Sequence, residues 1–144
     1  MVDTKCSHLQ AEIDRLAAAL HVPSIEVGAI RRDDDYNVFI DSDGRYHFAY
    51  WERGRPNLDL VGELDDVLYW FAETFSSIVA SGYASRARGD GRDRRELWWA
   101  HQYQLLYRLD PVWAGRCVRE LSEKLRGWGM PEAVQLLPDV PERG

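Results

Sequence analysis

The chain has 144 residues, and the first things to weigh are the ones it lacks. Its longest apolar run, Val67 to Ala72, stops at Glu73, far short of the roughly 18 residues a membrane-crossing helix needs. The first ten residues, MVDTKCSHLQ, are polar. They offer no apolar stretch for a secretory signal, so the expected location is the cytoplasm. Cysteine is scarce: Cys6 and Cys117 stand alone, with both thiols expected to be reduced. Cys6-Ser7-His8 places a base near a thiol, but at a helix start expected to fray. The four histidines, at 8, 21, 47 and 101, share no helical face and show no ligand spacing. A zinc site would need about four convergent ligands. No HExxH, CxxC, GxSxG or phosphate-cradling glycine motif is present. The sequence thus points to no catalytic residue, no metal and no cofactor.

What is present is apolar area and acid. Hydrophobic residues make up 45% of the chain, with six Trp, seven Tyr and four Phe. That is ample to offset the entropy of folding in one domain spanning residues 1–144. The net charge is -6 and uneven. Residues 1–64 hold twelve acids against seven Lys and Arg, while residues 65–144 hold twelve against eleven. An acidic half argues against general nucleic-acid binding and suits a basic partner, although on charge alone the simpler reading is that modest acidity keeps the protein soluble.

Hydrophobic periodicity organises the chain. Leu9, Ile13, Leu16 and Leu20 recur at helical spacing, with Ser7 and Gln10 as a weak capping box and an end near His21, before Pro23. Residues 36–41 and 45–52 read as two strands, joined at Asp43-Gly44. Centring a two-residue turn there pairs Ile40 with His47, Phe39 with Phe48 and Val38 with Ala49. One face then holds Tyr36, Val38, Ile40, His47, Ala49 and Trp51, and is assigned to the core. The other holds Asn37, Phe39, Asp41, Tyr46, Phe48 and Tyr50. A third extended segment is expected at 57–61. A buried helix follows over about 65–85, with Asp65 and Asp66 at its start. Further helices are expected over about 93–109 and 111–126, the last opened by Asp110-Pro111. Residues 131–144 form a proline-containing extension with little regular structure. The fold expected is α+β: an N-terminal helix, a small antiparallel hairpin or sheet, then a three-helix bundle packed on it.

Two constellations carry charge. Asp33, Asp34 and Asp35 read most simply as a solvated loop. Arg86, Arg88, Arg92, Arg94 and Arg95 straddle a helix start, where positive charge opposes the dipole, so neighbouring acids should compensate. Trp98, Trp99, Gln102, Leu105, Leu106 and Leu109 form a core stripe, in which a buried Gln102 needs hydrogen-bond partners.

The later half carries a resemblance. Leu68-Tyr69-Trp70, Asp93-x-Arg95, Gln102-x-x-Leu105-Leu106 and Leu109-x-Pro111-x-Trp113-Ala114-x-Arg116 occur in order, with spacings similar to those of the immunity protein 63 family of bacterial polymorphic toxin systems. The resemblance covers roughly residues 64–120 well, and the N-terminal helix and hairpin more loosely. The Gly- and Arg-rich loop near residue 90 and the long tail after 128 depart from it. The resemblance implies a non-enzymatic antidote that binds a cognate toxin domain; the charge and the short apolar runs add the expectation of no nucleic acid and no membrane. It transfers no site residue. From the residues themselves, the hairpin face with Phe39, Tyr46, Phe48 and Tyr50, expected to be partly exposed and rimmed by Asp33, Asp34, Asp35 and Asp41, is the candidate partner surface, unless a helix or the proline-containing tail covers it. Two other readings compete: an enzyme with an unrecognised carboxylate site, and a nucleic-acid-associated regulator using Arg86 to Arg95.

Overall fold

A short loop decides how the hairpin folds. In the computed structural model, which describes residues 4–28, 32–87 and 91–140, Asp41 closes a three-residue loop instead of a two-residue turn. The Asp41 carboxylate accepts the backbone N–H groups of Asp43 and Arg45, at 2.9 and 3.0 Å. Gly44 takes the left-handed conformation at φ +80° that a turn-plus-bulge loop requires. Strands β1 (Asp35–Ile40) and β2 (Tyr46–Glu52) therefore pair Phe39 with His47, Ile40 with Tyr46 and Val38 with Phe48. This is one residue from the expected register, and a one-residue slip exchanges the faces of a whole strand. Tyr46, Phe48 and Tyr50 thus share a face with Tyr36, Val38 and Ile40, while His47, Ala49 and Trp51 join Asn37 and Phe39. The third strand, β3 (Arg55–Gly62), is longer than the sequence suggested and gives an antiparallel sheet of order β1-β2-β3. A bulge at Tyr50/Trp51 adjusts its pairing with β2.

The chain divides into two compact units, residues 1–72 and 73–144. In the first, α1 (Thr4–Leu20) buries Leu9, Ile13 and Leu16 completely. It starts before Ser7, so Ser7 is no cap. Gln10 instead donates to Asp14 and the Ile25 carbonyl and accepts from the Val27 N–H, tying the returning chain to the helix. The helix ends as His21 adopts φ 58°, with the Val22 N–H on the Ala17 carbonyl and the His21 N–H on that of Ala18. Val38 and Phe48, each 1% exposed, are core beside Tyr46. Tyr36 stacks on Phe48 at 5.1 Å and meets Tyr50 edge-on at 5.0 Å. Lys5 donates to the Gly44 carbonyl and lies 5.0 Å over the Tyr46 ring, so α1 begins beside that face. Helix α2 (Leu64–Arg86) opens with Asp66 accepting the Glu63 N–H, half of a capping box.

In the second unit, α3 (Arg94–Leu109) is capped by Asp93 and α4 (Pro111–Gly127) by Asp110, each carboxylate accepting an N–H in the first turn. Asp110 also closes α3, its N–H on the Leu106 carbonyl, which makes the two helices a tight corner. Trp113 and Leu106 are buried. Trp99, Leu125 and Ala133 form a core with Trp98, Leu121, Met130 and Leu136 around it. Residues of the extension are more regular than expected: Pro131–Leu136 forms a 3-10 helix anchored by Ala133. Gln102 finds its partners, donating to the Glu73 carbonyl at 3.0 Å and to Ser76 at 3.4 Å.

Candidate functional site

The register that sends Tyr46 and Phe48 into the core brings a different set of side chains to the opposite face. Phe39 and His47, facing each other across β1 and β2, stack with ring centroids 4.4 Å apart. His47 Nε2 lies 2.7 Å from Asp41 Oδ2 and Nδ1 lies 2.9 Å from Asp59 Oδ1. Val61 stands opposite His47 on β3 and is 37% exposed. One corner of the sheet thus presents an aromatic stack between two carboxylates, beside an exposed valine. A ring nitrogen facing a carboxylate must donate, and only the imidazolium donates from both nitrogens. Burial pulls the His47 pKa down, but the hydrogen bonds and charges of Asp41 and Asp59 outweigh it and raise it above the ordinary 6.5. Asp41 is correspondingly lowered, first by the His47 hydrogen bond and then by the Arg45 N–H. The arrangement clamps the hairpin loop to β3. The two nitrogens face opposite ways, so the carboxylates do not converge on a common point. Among the described residues no group of three or more His, Cys, Asp or Glu is placed to hold a metal ion.

The sequence-derived surface is therefore divided. Phe39 and Asp41 lie at this corner. Tyr50 is half-buried on the other face, while Tyr46 and Phe48 are buried there, 7% and 1% exposed, which corrects the expectation that they stand open. Asp33, Asp34 and Asp35 are exposed, but at the far end of β1, about 20 Å from Asp41 at the rise of an extended strand. There Asp33 accepts the Gly54 N–H, the Asp34 N–H donates to the Trp51 carbonyl, and Asp35 accepts the N–H of Tyr36. The acidic run thus shapes the turn between β2 and β3 as well as facing solvent. His47 and Asp59 escaped the sequence reading because both depend on register. The signal that could have found them is the Asp41 side chain, whose preference for accepting N–H groups two residues on favours the longer loop.

Three arginines of the segment have partners. Arg94 donates to Ser81 and Ser85 and lies 5.6 Å over Trp98. Arg95 pairs with Asp93 at 3.0 Å, and Arg92 with Glu96 at 3.8 Å. These contacts supply the compensation that a basic helix start requires. Arg88 and Asp90 lie outside the described residues. Glu73 is the one described carboxylate with a raised pKa. Burial is the main cause, opposed by Lys124 and helped by Glu120. A shallow groove on the second unit is lined by Tyr103, Gln104, Tyr107, Arg108 and Asp139. No described helix is long and apolar enough to cross a membrane.

The family model for immunity protein 63 matches residues 42–123, more than half of the chain. The chain belongs to the immunity protein 63 family. The match begins in the hairpin loop, runs through β2, β3, α2 and α3, and ends in α4. It therefore takes in His47 and Asp59 but not Phe39 or Asp41. No curated protein and no solved structure matches the chain.

Proposed function

We propose that this chain is an immunity protein that binds a cognate bacterial toxin domain in the cytoplasm and neutralises it by non-covalent contact, without catalysing a reaction. The observation that carries this reading is the family match over residues 42–123. The charge distribution supports it and gives the partner a character. The first unit holds fourteen acids against seven Lys and Arg, the second ten against eleven. A field of that sign accelerates encounter with a basic surface and repels nucleic acid. The partner surface takes in Phe39 and Asp41 at the half-buried corner and Asp33, Asp34 and Asp35 at the far end of β1, while Tyr50 lies on the other face of the sheet. Tyr46 and Phe48 lie beneath it and hold the strands in place.

Co-expression with the toxin domain encoded beside this chain tests the reading. Cells carrying both survive and the two proteins co-purify. Death of the cells at full expression of this chain, with no complex recovered, would refute it.

A further inference from the structure

The two edges of the sheet are treated differently. On β1, the Gly28 N–H donates to the Val38 carbonyl at 3.0 Å, so the outer edge is partly closed by the returning chain. The same bond fixes the phase of the whole ladder. A Val38 carbonyl that points outward makes Val38 and Phe48 a pair without mutual hydrogen bonds, because such pairs alternate along antiparallel strands. The bond from the Asp41 N–H to the Arg45 carbonyl, three positions on, independently fits that alternation. Phe48 must then exchange its bonds with Leu60, its partner on β3. Asp59 and Val61 consequently aim their N–H and C=O groups away from β2, off the edge of the sheet. Among the described residues nothing accepts or donates to those groups. The strand carrying them is eight residues long, mostly exposed, and includes Leu58, 39% exposed, and Val61, 37% exposed. Natural sheets blunt edges of this kind with lysine, proline or a covering segment. Here Arg55, Pro56 and a bulge in the pairing with β2 protect the beginning of the strand, and from Leu58 to Val61 the one charge is that of Asp59.

We infer that the outer edge of β3, through the backbone of Asp59 and Val61, is where an extended strand of a basic partner protein adds to the sheet. The inference rests on the immunity reading and names the contact that reading leaves open. Strand addition uses main-chain hydrogen bonds for affinity and side chains on alternate positions for specificity. On β3 the side chains at 59 and 61 lie on the face of Phe39 and His47. A residue of the incoming strand opposite Asp59 on that face sits about 5 Å from it, the distance at which opposite charges pair. Asp41 and Glu63 extend the acid on that side, whereas Arg53 and Arg55 stand at the beginning of the strand. The complementary strand is therefore basic where it faces Asp59 and Glu63. A second copy of this chain is a poor occupant, since antiparallel pairing of two β3 edges sets Asp59 within one register step of its counterpart.

Amide hydrogen exchange on the full chain, free and saturated with the toxin domain encoded beside it, reads the edge directly. The amides of Leu58 and Leu60 belong to the ladder with β2 and exchange slowly in both states. Those of Asp59 and Val61 exchange fast in the free protein and slow by tenfold or more in the complex. A complex that forms while both still exchange at the free rate overturns the edge and leaves the immunity reading standing. Failure to form a complex overturns both. Val61→Pro removes one outward N–H without touching the bonds to β2 and should weaken binding about tenfold or more. Asp59→Asn keeps the backbone and an oxygen acceptor for His47, removes the charge, and should also weaken binding. Full affinity in both variants would refute the inference.

Discussion

The two units of this chain use similar residues for different ends. Both are rich in aromatics, yet in the second unit Trp98, Trp99 and Trp113 serve packing, and the arginines beside them are paired with Asp93, Glu96, Ser81 and Ser85. Trp128, Tyr107 and Tyr83 of the same unit are exposed, and in the first unit the aromatics divide as well. Phe48 and Tyr46 are core, while Phe39 stacks on His47 at a corner bordered by carboxylates and an open strand edge. The acid of the first unit exceeds its base by seven, while the second is close to neutral. The difference lies in net charge and backbone: the first unit keeps an excess of acid and a strand edge with outward amides, and these, more than aromatic content, are what the proposed partner surface rests on.

The largest effects should come where both units are all packing. Trp113→Ala and Phe48→Ala each remove a large side chain no more than 5% exposed and should cost about 3–5 kcal/mol in denaturant titrations. A loss below about 1 kcal/mol at either site would break the assignment of that residue to the core. A smaller effect distinguishes local capping from packing. Asp110 accepts the Val112 N–H at 2.9 Å and begins α4, so Asp110→Ala should cost about 1 kcal/mol. A neutral result would show that Pro111 alone starts the helix.

The smallest effect depends on pH and belongs to the first unit alone. Because the His47 pKa is raised in the fold, its carboxylate contacts stabilise fully below 6.5, the ordinary value. That stabilisation is lost as pH rises through the folded pKa. Asp41 has a lowered pKa, so its contribution is present above 3.8 and lost as pH falls through its folded value. Stability relative to His47→Gln should therefore be greatest in mildly acidic solution and decline above pH 6.5. For groups screened by water the difference stays below about 1 kcal/mol. A gap that widens as pH rises would reverse the assignment of charge.

Much of the fold was legible because local signals agreed with tertiary structure. Asp93 and Asp110-Pro111 mark helix starts within a residue of where they lie, and the periodic Leu9, Ile13 and Leu16 mark the buried stripe of α1. The family resemblance read from the later half also holds. The hairpin was less legible. Asp43-Gly44 suits a two-residue turn, but the Asp41 carboxylate, by accepting two N–H groups, selects the longer loop. That single choice moved Tyr46 and Phe48 into the core and brought His47 out to Phe39. Ser7 failed as a cap because the helix had already begun at Thr4. The Asp41–His47–Asp59 cluster spans three separate segments, so no spacing in the sequence could announce it.

Calorimetric titration of the full chain with its proposed toxin partner tests the central claim most directly, comparing Phe39→Ala with Tyr107→Ala. Phe39, half-buried, belongs to the corner of the first unit beside His47, and Tyr107, 53% exposed, to the groove of the second. The account predicts tight binding by the natural chain, a loss of tenfold or more with Phe39→Ala, and unchanged affinity with Tyr107→Ala. Binding that survives Phe39→Ala and falls with Tyr107→Ala would contradict it.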